Sequence, residues 1–148
     1  MTRVVAAIAV LALALVAPAQ PASPAQQLRM KHVVELWSQR LNSGDNAGVA
    51  RLFSLPATIT QERMYGFQTR AELARFHSLL PCSGEITSIV VKGRYATAVF
   101  QLGDRPGSRC LSRGVIVAAR FEIVGGKIKS WVQIPVPRGQ NPTSPGGI

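Results

Sequence analysis

The first half of the chain contains two segments in which apolar residues recur with the period of an α-helix. Residues 28–41 place their apolar side chains on one stripe of a 3.6-residue period, which predicts an amphipathic helix. The sequence NSGD at 42–45 supplies a glycine end signal and an aspartate, Asp45, that can cap a second helix over 46–53. The stripe of the first helix consists of Met30, Val33, Val34, Trp37 and Leu41.

A third helix is indicated over residues 70–80. Thr69 is a good N-cap, and Glu72 three residues later completes a capping box. Leu73, Phe76 and Leu80 form its apolar stripe, and Pro81 predicts its end.

The rest of the pattern is typical of strands. Residues 54–61 predict a short strand, followed by a loop through Tyr65 and Gly66. Four further strand-like segments are separated by turn sequences, and Gly114 in the third of them predicts a bulge. Helices on one face of a curved antiparallel sheet make an α+β fold with a conical cavity. These four segments are 85–93, 94–102, 110–124 and 127–136.

The two ends of the chain have other compositions. Arg3, the 13 apolar residues 4–16 and small residues at 17 and 19 predict a signal peptide over 1–19. The apolar run is shorter than the roughly 20 residues that span a bilayer, so no stable membrane span is expected. We therefore predict a secreted or periplasmic (cell-envelope) protein with a flexible linker at 20–27, one domain at 28–137 and a disordered tail at 138–148.

Export bears on the two cysteines, Cys82 and Cys110. An even number of cysteines in an exported chain predicts a disulfide between them.

The net charge of +10 makes this a basic protein. Lysine and arginine are scattered along the chain rather than clustered, which argues against a nucleic-acid partner and for a generally basic, solvated surface. Binding to anionic envelope polymers is the alternative.

Three stretches in order, LNSGDNAGVARLFSLPATI, TRAELARFH and RFEIVGGKIKSWVQIPV, resemble the nuclear transport factor 2-like superfamily, in particular its SnoaL-like and ketosteroid-isomerase-like branch. The resemblance runs over about residues 28–136. It implies a cone-shaped, curved antiparallel sheet wrapped around three helices. Because this fold hosts isomerases, cyclases, hydrolases, dehydratases and binding modules, it does not by itself imply an activity.

The catalytic positions of the isomerase branch are replaced in this chain. The alignment implied by the resemblance puts Gln61 where those enzymes carry a general-base Asp, and Trp37 where they carry a donor Tyr. Their protonated acid falls near Val117 or Gly114. A Gln amide cannot take a proton at neutral pH, so isomerase chemistry would need Glu62 as a displaced base.

For the other reactions known in the superfamily, this chain has few candidate catalytic residues. No acid, arginine and acid set of the epoxide-hydrolase kind emerges. His77 and Tyr65 could meet at a cavity mouth and move protons, as in the dehydratases, whereas His32 is expected on the surface. No metal-ligand spacing or nucleophile motif is present, so neither a metal nor a cofactor is predicted.

The sequence therefore predicts an exported SnoaL-like domain without recognisable catalytic residues that binds a small apolar ligand or a protein. The alternatives are an isomerase-type or dehydratase-type enzyme using His77 and Tyr65, and a basic module that binds anionic polymers. The resemblance also implies a homodimer through the open sheet face, with Trp131 and Gln133 at the interface. The predicted cavity residues are Trp37, Gln61, Tyr65, Phe76, His77, Val117 and Trp131, with Phe53 and Phe121 equally suited to ordinary core packing.

Overall fold

The structure is a computed structural model that describes residues 21–139. The predicted signal peptide at 1–19 and most of the predicted tail at 138–148 lie outside the described residues, and both stay predictions. Within residues 21–139, three helices and six strands follow one another. They are α1 (Pro24–Ser43), α2 (Asn46–Arg51), β1 (Phe53–Thr60), β2 (Met64–Phe67), α3 (Arg70–Ser78), β3 (Cys82–Lys92), β4 (Tyr95–Asp104), β5 (Ile116–Val124) and β6 (Lys127–Ile134).

Helix α1 begins at Pro24, four residues before the predicted start at Leu28, so part of the predicted linker 20–27 is helical. Ser23 caps the helix by accepting a hydrogen bond from the Gln26 amide, and Pro24 follows at the first helical position. Proline favours that position because its missing N–H would have no partner there. The Ser-Pro pair is thus a start signal. The helix ends at Ser43 and is capped by Gly44, whose φ of 79° is the left-handed conformation that glycine adopts without strain.

The caps of the two shorter helices agree with the sequence. Asp45 accepts a hydrogen bond from the Gly48 amide at 2.8 Å and starts α2. Thr69 and Glu72 form the reciprocal capping box of α3. The hydrogen bonds from the amides of Gln68 and Thr69 to the Glu72 carboxylate lower the pKa of that exposed carboxyl group.

The six strands form one mixed sheet in the order β2-β1-β6-β5-β4-β3. The α+β fold class is confirmed, and the four later strands pair antiparallel as predicted, while β1 adds a parallel pairing with β6 that makes the sheet mixed. Tyr65 and Gly66, predicted in a loop, belong to β2, which pairs antiparallel with β1. The sequence of this segment does not indicate a strand. It forms one because its backbone is hydrogen-bonded to β1.

Strand β5 starts at Ile116, not at the predicted residue 110. Gly114, predicted as a bulge within the strand, lies in the turn before it with a φ of 83°. Its amide donates to the Leu102 carbonyl at 2.8 Å. The left-handed φ of Gly114 suits a turn and cannot continue a strand.

The core lies between the helices and one face of the sheet. Cross-strand partners share a face, and Phe100 pairs with Val117 while Phe121 pairs with Trp131 on the face that packs against α1. The predicted disulfide between Cys82 and Cys110 is present and ties the start of β3 to the loop after β4. Within residues 21–139 no helix is long and apolar enough to cross a membrane.

Candidate functional site

A cavity of about 220 Å³, called the inner cavity below, lies between α1 and the inner face of β3 to β6. Its lining comes from α1, the end of β1, the connection from α3 to β3, and the inner positions of the four neighbouring strands. Pro81 and Gln133 are exposed and lie at its margin. The lining consists of Trp37, Leu41, Gln61, Leu80, Pro81, Cys82, Ser83, Gly84, Phe100, Leu102, Val117, Ala118, Ala119, Trp131 and Gln133.

Aromatic rings form the deep wall of the inner cavity. Trp37 on α1 meets Phe100 edge to face at 5.8 Å between ring centroids and Trp131 at 5.9 Å. It also contacts Phe121 at 5.1 Å. Such edge-to-face contacts are favourable, so the rings stabilise one another in this wall.

The two tryptophans of this wall differ in their hydrogen bonding. The Trp37 indole donates from Nε1 to Nε2 of His77 at 3.3 Å. Trp131 is only 4% exposed, yet its Nε1 has no hydrogen-bond partner among the described residues. Buried donors are nearly always paired, so this indole N–H is an exception.

The polar groups of the inner cavity are neutral. Gln61, Ser83 and Gln133 contribute amide and hydroxyl groups, and the Cys82 sulfur is held in the disulfide. None of the lining residues carries an acidic, basic or imidazole side chain. The lining therefore offers hydrogen bonds and apolar contact but no group that could exchange a proton at neutral pH.

The structure brings together four of the seven predicted cavity residues. Trp37, Gln61, Val117 and Trp131 line the inner cavity. Tyr65, Phe76 and His77 do not line it. Phe53 and Phe121 are fully buried core residues, which agrees with the interpretation that they serve ordinary core packing.

His77 is a buried residue with both ring nitrogens engaged. Its Nδ1 lies 2.7 Å from the Leu73 carbonyl and must donate to it, which leaves Nε2 to accept from Trp37. Burial lowers the pKa of His77 from 6.5 to about 4, and the charge of Arg105 acts in the same direction. The neutral ring thus fixes the Trp37 indole by a hydrogen bond and does not itself line the inner cavity.

Tyr65 does not join His77 in a catalytic pair. Its hydroxyl accepts a hydrogen bond from Nε of Arg63 at 2.8 Å, and this bond is exposed to solvent. Phe76 lies between the two residues, with ring centroids 5.2 Å from Tyr65 and 5.5 Å from His77. Glu62, the alternative base, is exposed and does not line the inner cavity.

Residues of the connection into β3 and of β4 were missed by sequence reasoning. Leu80, Pro81 and Gly84 line the inner cavity, as do Phe100 and Leu102. The two β4 residues follow the alternation of that strand, in which Ala96, Ala98 and Phe100 are buried on the inner face, so this signal was available.

A second hollow, called the outer groove below, lies on the opposite face of β3 to β5 and measures about 460 Å³. Arg94 and Arg120 both lie over the Tyr95 ring, at 5.4 and 5.3 Å from its centroid. Arg94 is paired with Glu122 at 3.1 Å, whereas no salt bridge within residues 21–139 engages Lys92 or Arg120. The groove is lined by Val90, Lys92, Gly93, Tyr95, Thr97, Arg120 and Pro137.

In the described part of the chain, no group of three His, Cys, Asp or Glu side chains could hold a metal ion.

No family model matches the chain, and no curated protein matches it. Solved structures do match. A putative ketosteroid isomerase from Kribbella flavida has a TM-score of 0.61 at 14% identity, over 82% of this chain and 92% of that chain. A putative polyketide cyclase from Sinorhizobium meliloti has a TM-score of 0.57 at 18% identity, over 72% of this chain and 98% of that chain.

A third match is a nuclear transport factor 2-like protein of unknown function from Cytophaga hutchinsonii, with a TM-score of 0.55 at 10% identity over 71% of this chain and 88% of that chain. At these identities the likeness concerns the fold. The chain has the nuclear transport factor 2-like fold, as the sequence predicted.

Proposed function

We propose that this domain binds a small, largely apolar molecule in the inner cavity and does not convert it chemically. The observation that carries the proposal is an aromatic-walled cavity whose lining has no titratable side chain. The names of two structural neighbours, a ketosteroid isomerase and a polyketide cyclase, refer to proteins that act on small molecules, which supports a small-molecule ligand.

The two residues named for the enzyme alternative, His77 and Tyr65, are not placed to act on a molecule in the inner cavity. His77 is neutral, buried and hydrogen-bonded at both nitrogens, and Tyr65 lies apart from it. A general acid or base must reach the proton that it transfers, and neither side chain lines the inner cavity.

A cavity-filling variant tests the proposal. Ala119 lies on the inner face and lines the cavity, so Ala119→Leu should fill part of it. Ala47→Leu, at an exposed position of α2, is the matched control. Purified protein without the first 19 residues should retain small apolar molecules in native mass spectrometry, and Ala119→Leu should lose them. Equal occupancy in both variants, or no binding from a panel of small apolar compounds, would contradict ligand binding in the inner cavity.

We also propose that the chain is exported and loses residues 1–19. The apolar run with small residues at 17 and 19 and the disulfide both support an oxidising location. Mass spectrometry of protein recovered outside the cytoplasm should find Gln20 as the first residue. A full-length chain retained in the cytoplasm with free thiols would contradict export.

A homodimer through the sheet stays a proposal, but Trp131 cannot contribute to it as predicted. Its side chain is 4% exposed and lies on the inner face, and Gln133 borders the inner cavity. An interface would therefore use the outer face of the sheet.

The outer groove supports a second candidate function, the binding of anionic polymers. Lys92 and Arg120 are exposed cations beside an aromatic ring and a hollow. Lys92→Gln with Arg120→Gln should lower the salt concentration that elutes the protein from heparin. Arg29→Gln with Arg75→Gln removes the same charge elsewhere and should lower it less. Equal shifts for both pairs would show that only net charge matters and would contradict a site in the groove.

A further inference from the structure

Three strongly exposed apolar side chains lie in three different connections of the fold. Within residues 21–139, Leu111 is 95% exposed, and Met64 and Leu79 are each 73% exposed, which makes them the most exposed large apolar residues. Leu111 lies between β4 and β5, Met64 starts β2, and Leu79 lies between α3 and β3. A single exposed apolar residue is ordinary, but several at one place mark a binding surface.

The strand pairing places these three connections at the same end of the sheet. Strand β3 starts and β4 ends where Cys82 pairs with Asp104. Thr60 pairs with Met64 and lies beside Val132, near the end of β6. Because β5 is antiparallel to both β4 and β6, it starts at this end too. The exposed margin of the inner cavity lies here as well, so Met64, Leu79 and Leu111 are called the apolar rim below.

The loop that carries Leu111 is held by bonds to the folded domain. Cys110 forms the disulfide with Cys82, and its amide donates to the Asp104 carboxylate at 2.9 Å. Arg105, at the start of the loop, is buried and donates to carbonyls at the end of α3. The exposure of Leu111 is therefore a feature of a fixed loop.

Positive charge accompanies the apolar rim. Arg63 precedes Met64 in the chain, and Arg109 lies two residues before Leu111. No salt bridge within residues 21–139 engages either arginine. Glu62 adds one opposing charge, but the chain as a whole carries +10. Exposed apolar side chains with cations beside them suit the surface of a membrane that contains anionic lipids.

We propose that this end of the molecule docks on an anionic phospholipid bilayer, with the apolar rim inserted at the level of the headgroups and Arg63 and Arg109 beside the lipid phosphates. A soluble anionic polymer would not bury three apolar side chains, whereas a bilayer surface buries them and supplies the negative charge. The proposal goes beyond the proposed function and is independent of it, because docking requires no molecule in the inner cavity.

A sedimentation assay with vesicles tests the apolar contribution. The protein should begin at Gln20, because the apolar run 4–16 would bind lipid by itself. Vesicles of phosphatidylcholine and phosphatidylglycerol should bind the wild type. Replacing the whole apolar rim by serine should lower the partition coefficient by a factor of at least about 10, since the inserted apolar area is lost. The control replaces three exposed apolar residues elsewhere by serine and should leave binding nearly unchanged: Leu28, Val90 and Val124.

Two charge variants test the electrostatic contribution. Arg63→Gln with Arg109→Gln should weaken binding to these vesicles about tenfold, because each cation near an anionic surface contributes about 1 kcal/mol. Lys92→Gln with Arg120→Gln removes the same charge at the outer groove and should weaken binding less. Vesicles of phosphatidylcholine alone should bind the wild type more weakly than the mixed vesicles do.

A fluorescence measurement tests insertion directly. In Leu111→Trp, the emission of the added indole should move to shorter wavelength when mixed vesicles are present, because the ring leaves water. Val124→Trp places an indole at an exposed position at the other end of β5 and should show no such shift. Trp37 and Trp131 are buried, so their emission is a background that the wild-type protein measures.

The possible results decide between docking by this end and simple adsorption. Equal losses in the rim variant and its control, or in the two charge variants, would mean that net charge alone attracts the protein, and would overturn the proposal. Absence of binding to the mixed vesicles would also overturn it and would leave the apolar rim as a surface for a protein. Rim-dependent vesicle binding would support the proposal even if the inner cavity bound no compound.

Discussion

The His77 side chain is placed where its charged form is strongly disfavoured, and this makes the stability of the fold depend on pH. Its pKa is about 4 in the folded protein, against 6.5 for an unperturbed histidine. Between these values the unfolded chain binds a proton that the folded protein excludes. Stability is therefore full above pH 6.5 and is lost as the pH falls toward 4.

We expect the free energy of unfolding in urea to be about 2 kcal/mol lower at pH 5.0 than at pH 7.5 through this one residue. His77→Gln should remove most of that difference because an amide does not titrate. His32→Gln changes an exposed histidine and should keep it. The same loss in His77→Gln as in wild type would contradict the assignment.

Arg105 is a buried cation that caps the C-terminal end of α3. It is 8% exposed, and its guanidinium donates to the carbonyls of His77 and Leu80, each at 2.7 Å, and to Oδ1 of Asn46 at 2.8 Å. Burial lowers the pKa of Arg105. Cations are favourable at the C-terminal end of a helix, where carbonyls lack partners within the helix.

Replacing Arg105 by Met keeps the length of the side chain and removes the donor of the Leu80 carbonyl and of the Asn46 amide oxygen, whereas the His77 carbonyl still accepts from the Leu80 amide. We expect a loss of about 3 kcal/mol in the free energy of unfolding, measured in urea. Arg109→Met, an exposed position on the same loop, should change it by less than about 0.5 kcal/mol. A loss of similar size in both variants would show that charge in the loop, and not these hydrogen bonds, is responsible.

At the scale of elements, Asn42 connects α1 to β3. Its amide nitrogen donates to the Gly84 carbonyl at 3.0 Å, and its amide oxygen accepts from the Gly84 amide at 2.9 Å. Ser38 adds a 2.6 Å bond to the same carbonyl. A Cβ on Gly84 would lie 3.1 Å from the Phe100 ring of β4, so the absence of a side chain leaves room for that ring.

Asn42→Ala should lower the free energy of unfolding by about 1–2 kcal/mol and speed hydrogen exchange at the Gly84 amide, since that amide loses its acceptor. Gln39→Ala, at an exposed position of the same helix, is the control and should leave the exchange rate of Gly84 unchanged. Unchanged protection of Gly84 in Asn42→Ala would show that this connection is not needed to hold β3 against α1.

Elements that depend on local chemistry could be predicted, and elements that depend on a distant partner could not. The caps at Asp45 and Thr69 could be predicted because each depends only on residues within one turn of the helix that it starts. Strand β2 exists because Tyr65 pairs with Ile59 of β1, which its own residues do not signal. His77 lies four residues after Leu73, so a stricter use of the helical period would have placed both on the buried face of α3.

At the scale of the whole molecule, the sheet order sets the site. Strand β6 runs parallel to β1 and antiparallel to β5, which brings Trp131 between Ile59 and Phe121. No local pattern in the sequence indicates this pairing of distant segments. The resemblance to a known fold predicted a cavity and four of the residues that line it. That the Trp131 N–H has no hydrogen-bond partner among the described residues could be seen only in the structure.

The disulfide links the wall of the inner cavity to the stability of the whole domain. Cys82 lines the cavity and is bonded to Cys110, 28 residues away. Closing a loop of that length restricts the unfolded chain and stabilises the fold by roughly 3 kcal/mol in the chain-entropy model. Replacing both cysteines by Ala should therefore lower the free energy of unfolding by that order, as should reduction of the wild-type protein.

Loss of the disulfide should also weaken ligand binding. The segment Leu80–Gly84 forms part of the wall of the inner cavity, and Cys82 anchors this segment to Cys110. We expect the double variant to bind small apolar compounds more weakly than the oxidised protein under conditions where both are folded, with faster hydrogen exchange confined to this segment. Treating the double variant with reductant is the control and should change nothing further. Unaltered affinity together with lower stability would mean that the bond stabilises the fold without shaping the inner cavity.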